Sequence, residues 1–558
     1  MFKHRDVLAD PTLGKGDRLP KQFHEQVLRC ASDTGLNVFA TINNRFIIDG
    51  LPAREHGMLE LEFLSDSTRT KLSRIRARRG REEPSSVLFT RVGALITLKA
   101  MLALGSRDAF TRTAVGACAL HANDYAESDD TSSLSSGILS VVAEFAPVRD
   151  LQNPPEAGPL FRRFGYIYQK LLTQHAEMRQ LIRDELHCEV EELTFSGLPF
   201  DKYFSILFGI YAVTLAAAKR KPYPTSIFDL RDIAEKVQIH ERDLLNFVRE
   251  RSMTEIEARK QIGPITNAEG FAVVATDSRW ATDFRVFRNR PLLELRDGRF
   301  MVLDLQFLHE SASRGLYWSL FHRLSDEAKR RFAAAWGDLF ETYVLDLVRH
   351  YFPDLRGNED VAGREVDGVL ELGGATFLIE VKSGFLPEAA KGSRNQSTFA
   401  EAVERKFVKN EKGKPKGVGQ LAATLESIRG GSGLLHDQPI YSILVGEDPV
   451  LASFAMNTYL DDIFLKATPH RRTDDRLAVM LIDELEHILP YLSHGDIDLK
   501  ELLDGRIVLG KMSPEHVAST FNTMAVRRGV KVREETFLSK QGEELTAMLD
   551  RAFEGLSD

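Results

Sequence analysis

Three residues with the makings of a hydrolytic site lie close together in REVDGVLELGGATFLIEVKSG (364–384): Asp367, Glu380 and Lys382. Both halves of this stretch have the two-residue period of a β-strand. Phe377, Ile379 and Val381 point one way, and Thr376, Leu378, Glu380 and Lys382 the other. Gly373-Gly374 suits a two-residue hairpin turn, because glycine tolerates positive φ at both positions. Such a turn fixes the register. With Leu372 opposite Ala375, Asp367 falls opposite Glu380, and Glu365 opposite Lys382. Directly opposed side chains lie about 4.5–5.5 Å apart at Cβ.

Two carboxylates at that spacing repel each other, and a bound divalent cation reverses the sign of the effect. Hard oxygen ligands on a rigid sheet suit Mg²⁺ or Mn²⁺ and leave positions for water and a phosphate oxygen. Lys382 lies two residues beyond Glu380, on the same face. There it is placed to orient an attacking water or to neutralise charge building on a phosphorane-like transition state. The competing arrangement is a solvated sheet face with an acidic pair and a Glu365–Lys382 cross-strand pair. Against it, the Glu-Val-Lys tripeptide ends an otherwise strongly apolar strand, and Gly384 follows at once.

These residues resemble the motif of the PD-(D/E)XK superfamily, the restriction-endonuclease-like nucleases. The resemblance covers roughly 330–485, about a quarter of the chain. It implies a mixed central sheet flanked by helices, with Asp367 and Glu380 as metal ligands and Lys382 as the catalytic lysine. It also implies a further acidic ligand from the helix before the hairpin, which Glu341 in WGDLFETYVLDLV fits, and a glutamine from the helix after it, which Gln420 in KGVGQLAATLESI fits. Val366 stands where many members have proline. The implied activity is Mg²⁺- or Mn²⁺-dependent phosphodiester hydrolysis, with DNA favoured over RNA. The implied settings are genome (antiviral) defence, restriction or mobile-element processing. Double-strand cutting in such enzymes often needs paired sites, so a homodimer or a partner protein is compatible.

A basic segment follows the proposed strand. Between 391 and 416 it carries Lys391, Arg394, Arg405, Lys406, Lys409, Lys412, Lys414 and Lys416 against Glu401, Glu404 and Glu411, a local charge of +5 on a chain of net charge −8. A solvated loop would look the same. Its position beside the site favours contacts to a phosphate backbone.

The elements that must position these residues follow from periodicity. RRFAAAWGDLFETYVLDLVRHYF (330–352) is helical, and PIYSILVGED (439–448) and LAVMLIDEL (477–485) are apolar runs of strand type. Strands alternating with helices indicate an α/β domain. Upstream the chain reads mainly as helix, as in 88–105 and 166–186, with polar breaks at 128–137 and 153–159. FAVVATD (271–277) is strand-like, and PLLELRDGRFMVLD (291–304) is a hairpin around Asp297-Gly298. IAEKVQIHERDLLNFV (233–248) fits two short helices around a tight turn, a pattern shared by DNA-reading helix-turn-helix units and plain helical hairpins. The basic run 69–81 suits either a solvated helix end or phosphate contact.

The expected architecture is therefore α/β: a C-terminal restriction-endonuclease-like mixed sheet flanked by helices, preceded by a mostly helical N-terminal region. The divisions are a helical domain at 1–150, a helical domain with the helix-turn-helix pattern at 151–265, a small β-containing module at 266–328, the nuclease-like domain at 329–490 and a helical extension at 491–558. The apolar share of 43% and charged share of 28% argue against wholesale disorder. Cys30, Cys118 and Cys188 are widely spaced, which disfavours a disulfide framework or a zinc ribbon. The opening MFKHRDVLADPTLG lacks a leader's apolar core, and the apolar run 203–218 is short for a bilayer span of about 20 residues. A cytoplasmic protein that does not engage a membrane is expected. No G-x-x-x-x-G-K-[ST] loop is present. Two alternatives to a nuclease stand beside it: a catalytically silent nucleic-acid-binding protein of the same fold, and a helical sensor or scaffold.

Overall fold

The structure is a computed structural model that describes residues 19–51, 53–78, 89–104, 109–126, 151, 157–220, 224–237, 240–263, 280, 283–311, 314–393, 395–431, 434–506 and 516–540. It is a mixed α/β protein. In the N-terminal part, helices Leu19–Cys30, Asp33–Asp49, Arg91–Leu104 and Arg112–Ala126 share one apolar core. Arg91–Leu104 is buried along almost its whole length, as its run RVGALITLKAMLAL requires. That core is completed from far down the chain by Leu293, Leu295, Met301, Leu303 and Phe307. The expected hairpin supplies most of these: strands Leu292–Glu294 and Phe300–Val302 pair antiparallel, and Gly298 takes φ +80 at the turn. Asn43 and Asn44 donate to the carbonyls of Leu303 and Val302 at 2.8 Å, and Arg91 pairs with buried Asp304 at 2.7 Å. Cys30 and Cys118 meet in this core as free thiols with Sγ atoms 3.6 Å apart.

Helix Phe200–Ala218 is long and apolar enough to cross a membrane by length and composition, and half of its most apolar window is buried inside the protein. It packs with Leu230–Val237 and Glu241–Arg251, the two helices of the helix-turn-helix pattern, through Ile233, Leu244, Phe247 and Val248. These four apolar positions of that pattern are thus committed to core packing. The stretch 166–186 is not one helix. A π-helical turn at Ile167–Leu172 precedes a fresh start at Ala176–Leu186, where His175 Nδ1 accepts from the Met178 N–H at 3.2 Å. Of the upstream expectations, 128–137, 271–277 and residues 79–81 of the basic run lie outside the described residues, as does most of the 153–159 break.

The C-terminal part is built on a five-stranded sheet. Its strands are β1 (Arg356–Val361), β2 (Arg364–Leu372), β3 (Ala375–Lys382), β4 (Ile440–Gly446) and β5 (Arg476–Leu481), in the spatial order β5-β4-β3-β2-β1. β1, β2 and β3 form an antiparallel meander, while β4 runs parallel to β3 and β5 parallel to β4. The helices are α1 (Asp326–Tyr351), α2 (Gln396–Phe407), α3 (Val418–Arg429) and α4 (Ile482–Ser493). Ser325 caps α1, accepting from Ala328 N–H. The run 477–485 divides: its first half is β5, and Asp483 and Glu484 open α4, where carboxylates favour a helix N-terminus. Phe377, Ile379, Val381, Tyr441 and Ile443 pack on one side of the sheet with Leu339, Phe340 and Val344 of α1. Leu378, Leu444 and Val479 pack on the other with Phe399 and Val403 of α2 and Leu421 and Leu425 of α3.

One buried polar cluster ties the upstream helices to this sheet. Arg163, on helix Ala157–Tyr166, forms a bidentate pair with Glu486 of α4 at 2.6 and 2.7 Å and also meets Asp483. The Tyr343 hydroxyl, from α1, donates to the same Glu486 carboxylate at 2.5 Å. Arg163 and Glu486 are almost completely buried. Arg163→Ala leaves the Glu486 charge buried without its partner. A loss of about 3–5 kcal/mol in urea unfolding is expected, with the double variant Arg163→Met/Glu486→Leu recovering much of it.

Candidate active site

Gly373 and Gly374 adopt φ +59 and +74, the two positive values that a tight hairpin turn needs. From there the ladder runs in the expected register, Leu372–Ala375 through Gly368–Ile379. It stops one pair short of Asp367–Glu380. On the other edge of β2, Gly357–Gly368 and Glu359–Val366 pair but Asn358 and Asp367 do not, and Asn358 has φ +53. Asp367 therefore sits at a gap in both ladders. Its Oδ2 accepts the Val381 N–H at 2.7 Å, so a side chain replaces a backbone partner. A non-glycine residue in the left-handed region costs roughly 1–2 kcal/mol, which marks Asn358 as a local concession beside the site.

The gap brings the three motif residues together on one face. The Lys382 ammonium lies 2.5 Å from Glu380 Oε1 and 3.9 Å from Asp367 Oδ2, and it also donates to the Val381 carbonyl at 2.9 Å. The Glu365–Lys382 pair of the competing arrangement does not form. Glu365 is exposed, and Lys382 turns instead toward the two buried carboxylates because desolvated charge attracts it more strongly than a solvated carboxylate does. Glu380 has no exposed surface, and neither of its carboxylate oxygens accepts a well-formed hydrogen bond among the described residues, despite the short approach of Lys382.

Charge accounts for the protonation behaviour. Burial drives the Glu380 carboxyl up to about 8: Lys382 pulls it down, but Asp367 and Glu341 add to the rise. Burial likewise raises Asp367, against Lys382 and the Val381 N–H. For Lys382, burial disfavours the charge, yet Glu380 and Asp367 outweigh it and hold the ammonium above its usual range. Glu341, half-buried on α1, is pushed up to about 7 by burial and then by Asp367, with Lys382 opposing. Helix α1 passes close to the end of β3 at Gly337, where a Cβ would make an ordinary 3.5 Å contact with Ser383 Oγ. One ammonium thus faces three carboxylates, Glu341, Asp367 and Glu380.

That donor set fits a small divalent cation. Asp367 and Glu380 supply hard oxygens, Glu380 Oε2 has no partner among the described residues, and once the carboxyls lose their protons the set carries a net negative charge that such an ion would neutralise. Among the described residues, no group of three or more His, Cys, Asp and Glu side chains is gathered as a ready-made metal cage. The Lys382 ammonium instead stands against the two carboxylates.

Gln420 is near the site but does not touch its carboxylates. It lies in the first turn of α3, and its Nε2 donates to the Glu365 carbonyl at 3.1 Å, holding the strand two residues before Asp367. Gly417 makes this placement possible, since a Cβ there would come within 2.8 Å of the Phe407 carbonyl.

The basic segment divides by role. Lys391 is not available to a phosphate: it is buried in a 3.0 Å pair with Asp448, which has no exposed surface. Arg405 pairs with Glu411 at 3.3 Å and Lys409 with Glu404 at 3.6 Å, both in solvent. Lys412 and Lys414 are exposed, Lys416 is half-buried, and Arg394 lies outside the described residues. Lys406 also turns inward, its ammonium donating to the Ser383 carbonyl just past β3. Glu447 and Asp448 were not anticipated. Glu447 accepts the Gly384 N–H at 2.9 Å, and Asp448 the Leu386 N–H at 2.6 Å. Their signal was an acidic pair directly after the apolar run of β4, at the strand end level with Lys382.

Comparison of the chain with protein-family models, curated proteins and solved structures gave no match.

The raised carboxyls make cation binding proton-linked. An unfolded glutamate titrates near pH 4.3, whereas Glu380 and Glu341 do so at about 8 and about 7. Between these limits the metal-free fold holds the extra protons, so its stability falls as pH rises through the window. A cation must displace those protons. Calorimetric titration with Mn²⁺ at about pH 6.5, in buffers of different ionisation heat, is expected to show proton release that shrinks toward about pH 9. Binding at the lower pH without proton release contradicts this assignment.

Proposed function

We propose that this chain is a metal-dependent nuclease of the PD-(D/E)XK type that hydrolyses phosphodiester bonds, most fittingly in DNA. The observation that carries the reading is Glu380: fully buried, without a well-formed hydrogen bond at either oxygen, and set beside Asp367 and Lys382 on one face of a hairpin. The order of elements supports it, with a helix, a three-stranded meander, helices and two parallel strands forming a mixed sheet covered on both faces. The fold is accordingly read as restriction-endonuclease-like, and a role in genome defence, restriction or mobile-element processing rests on the same resemblance.

In this reading Asp367 and Glu380 hold Mg²⁺ or Mn²⁺, and Glu341 completes the acidic set from α1. The ion supplies Lewis acidity toward a phosphate oxygen and lowers the pKa of a bound water. Lys382 leaves Glu380 and directs its ammonium to the attacking water or to the charge that grows on phosphorus-bound oxygen. Gln420 positions the strand that carries Asp367.

One observation favours a second reading, a catalytically silent nucleic-acid-binding or scaffold protein. Lys382 already satisfies much of the charge on Glu380, a closed arrangement that needs no ion.

Incubation of plasmid, linear duplex, single-stranded DNA and RNA with Mg²⁺ or Mn²⁺ separates the two. Cleavage is expected with either ion and none in EDTA, with Asp367→Asn, Glu380→Gln and Lys382→Ala each reducing the rate by about 10²-fold or more. Nucleic-acid binding by the wild type without cleavage under any divalent metal establishes the silent reading instead.

A further inference from the structure

We propose that Lys406 forms a phosphate-binding subsite against the Ser383-Gly384 loop, taking a backbone phosphodiester next to the one engaged by Asp367, Glu380 and Lys382. The identity of the polymer, though not the subsite's affinity for a phosphodiester, rests on the nuclease reading above.

The argument begins with partners. Lys406 is half-buried, and among the described residues no carboxylate lies within ion-pair distance of its ammonium; its polar contact is the Ser383 carbonyl. The acidic groups it feels are engaged elsewhere, Glu447 on the Gly384 N–H and Asp448 on Lys391 and the Leu386 N–H. The other charges close enough to act on it are like charges, Lys416 and Lys382. Glu447 and Asp448 outweigh the two lysines, yet neither pairs with Lys406, and a half-buried ammonium without an ion pair gains from an anion that joins it. An ammonium has three donors, so Lys406 keeps donors for one.

Place and access agree with this. Lys406 sits where β3 ends, immediately beyond Lys382, so an anion on it lies along the same edge as the candidate catalytic group. Gly384 adopts φ +78, and a Cβ there would come within 3.0 Å of Lys406 Nζ. The missing side chain is what lets the ammonium lie against the loop. Lys391, Arg405 and Lys409 of the same segment are paired with carboxylates, whereas Lys406 and Lys416 are not. Burial lowers the affinity of Lys406 for its proton, with Glu447 and Asp448 opposing, which is how a charge without its ligand behaves.

The test reads binding apart from cleavage. Fluorescence anisotropy of a labelled DNA oligonucleotide in EDTA is measured for wild type, Lys406→Ala, Lys406→Arg and Lys531→Ala, an exposed control outside the basic segment. Lys406→Ala is expected to weaken binding about tenfold, alike for all sequences, and to lower the slope of log K against log salt by about one. Lys406→Arg keeps most of the affinity, Lys531→Ala changes little, and the Tm of Lys406→Ala is unchanged or raised because an unpaired buried charge is gone. The subsite is overturned if Lys406→Ala binds like Lys531→Ala. It is also overturned if the loss follows a lowered Tm that arginine does not restore, since that is a structural role. Calorimetric binding of inorganic phosphate that Lys406→Ala abolishes, with no oligonucleotide binding, identifies a free-phosphate site and overturns the polymer assignment. A wild type that shows this lysine dependence yet fails to cleave under any divalent metal overturns the nuclease reading and keeps the subsite. One that cleaves while Lys406→Ala binds normally does the reverse.

Discussion

The burial of two acidic groups, Glu380 and Asp367, is the constraint on which the C-terminal part of the molecule depends. Removing a carboxylate from water costs several kcal/mol even after relaxation, and one ammonium does not compensate two such groups with Glu341 close by, so Glu380 keeps its proton up to about pH 8. Such a cluster persists only if its surroundings hold it by other means. The sheet provides them: β3 is covered on one side by α1 and on the other by α2 and α3, with Phe377, Ile379 and Leu378 all buried. The apolar packing of the strand thus carries the charged residues at its end.

The same helices that make the core also furnish the site. α1 packs against the sheet through Leu339, Phe340 and Val344 and presents Glu341 toward Asp367 and Lys382. Through Tyr343 it also joins the buried Arg163–Glu486 pair, so the upstream helix Ala157–Tyr166, α1 and α4 meet at one carboxylate. A displacement of that upstream helix would act on α1 two residues from Glu341. The upstream helices are therefore part of the frame of the candidate site.

Charge in the 391–416 segment is spent in different ways that its composition does not distinguish. Lys391 stabilises the end of β4 through Asp448, Arg405 and Lys409 make solvated pairs of little energetic weight, and Lys406 is turned inward. The local excess of +5 is real as a sum. Its contribution at the site comes from the few cations that carboxylates have not already claimed.

The sequence by itself determined the hairpin, its register and the shared face of Glu380 and Lys382, because the glycine pair fixes the turn and a strand's period of two fixes the faces. It also determined the long helix carrying Glu341 and the Asp297-Gly298 hairpin, both local patterns. Only the tertiary structure decided what depends on residues distant in the chain. The Asp367–Glu380 pair is unladdered because the Asp367 side chain takes the Val381 N–H and Asn358 breaks the other edge. Lys382 abandons Glu365 for two buried carboxylates, Gln420 binds the Glu365 carbonyl, and the N-terminal core closes with residues from 253–307. Periodicity reports which way a side chain points. It carries no information about desolvation or about which of several charges stands nearest, and those two quantities arise only when the chain is packed.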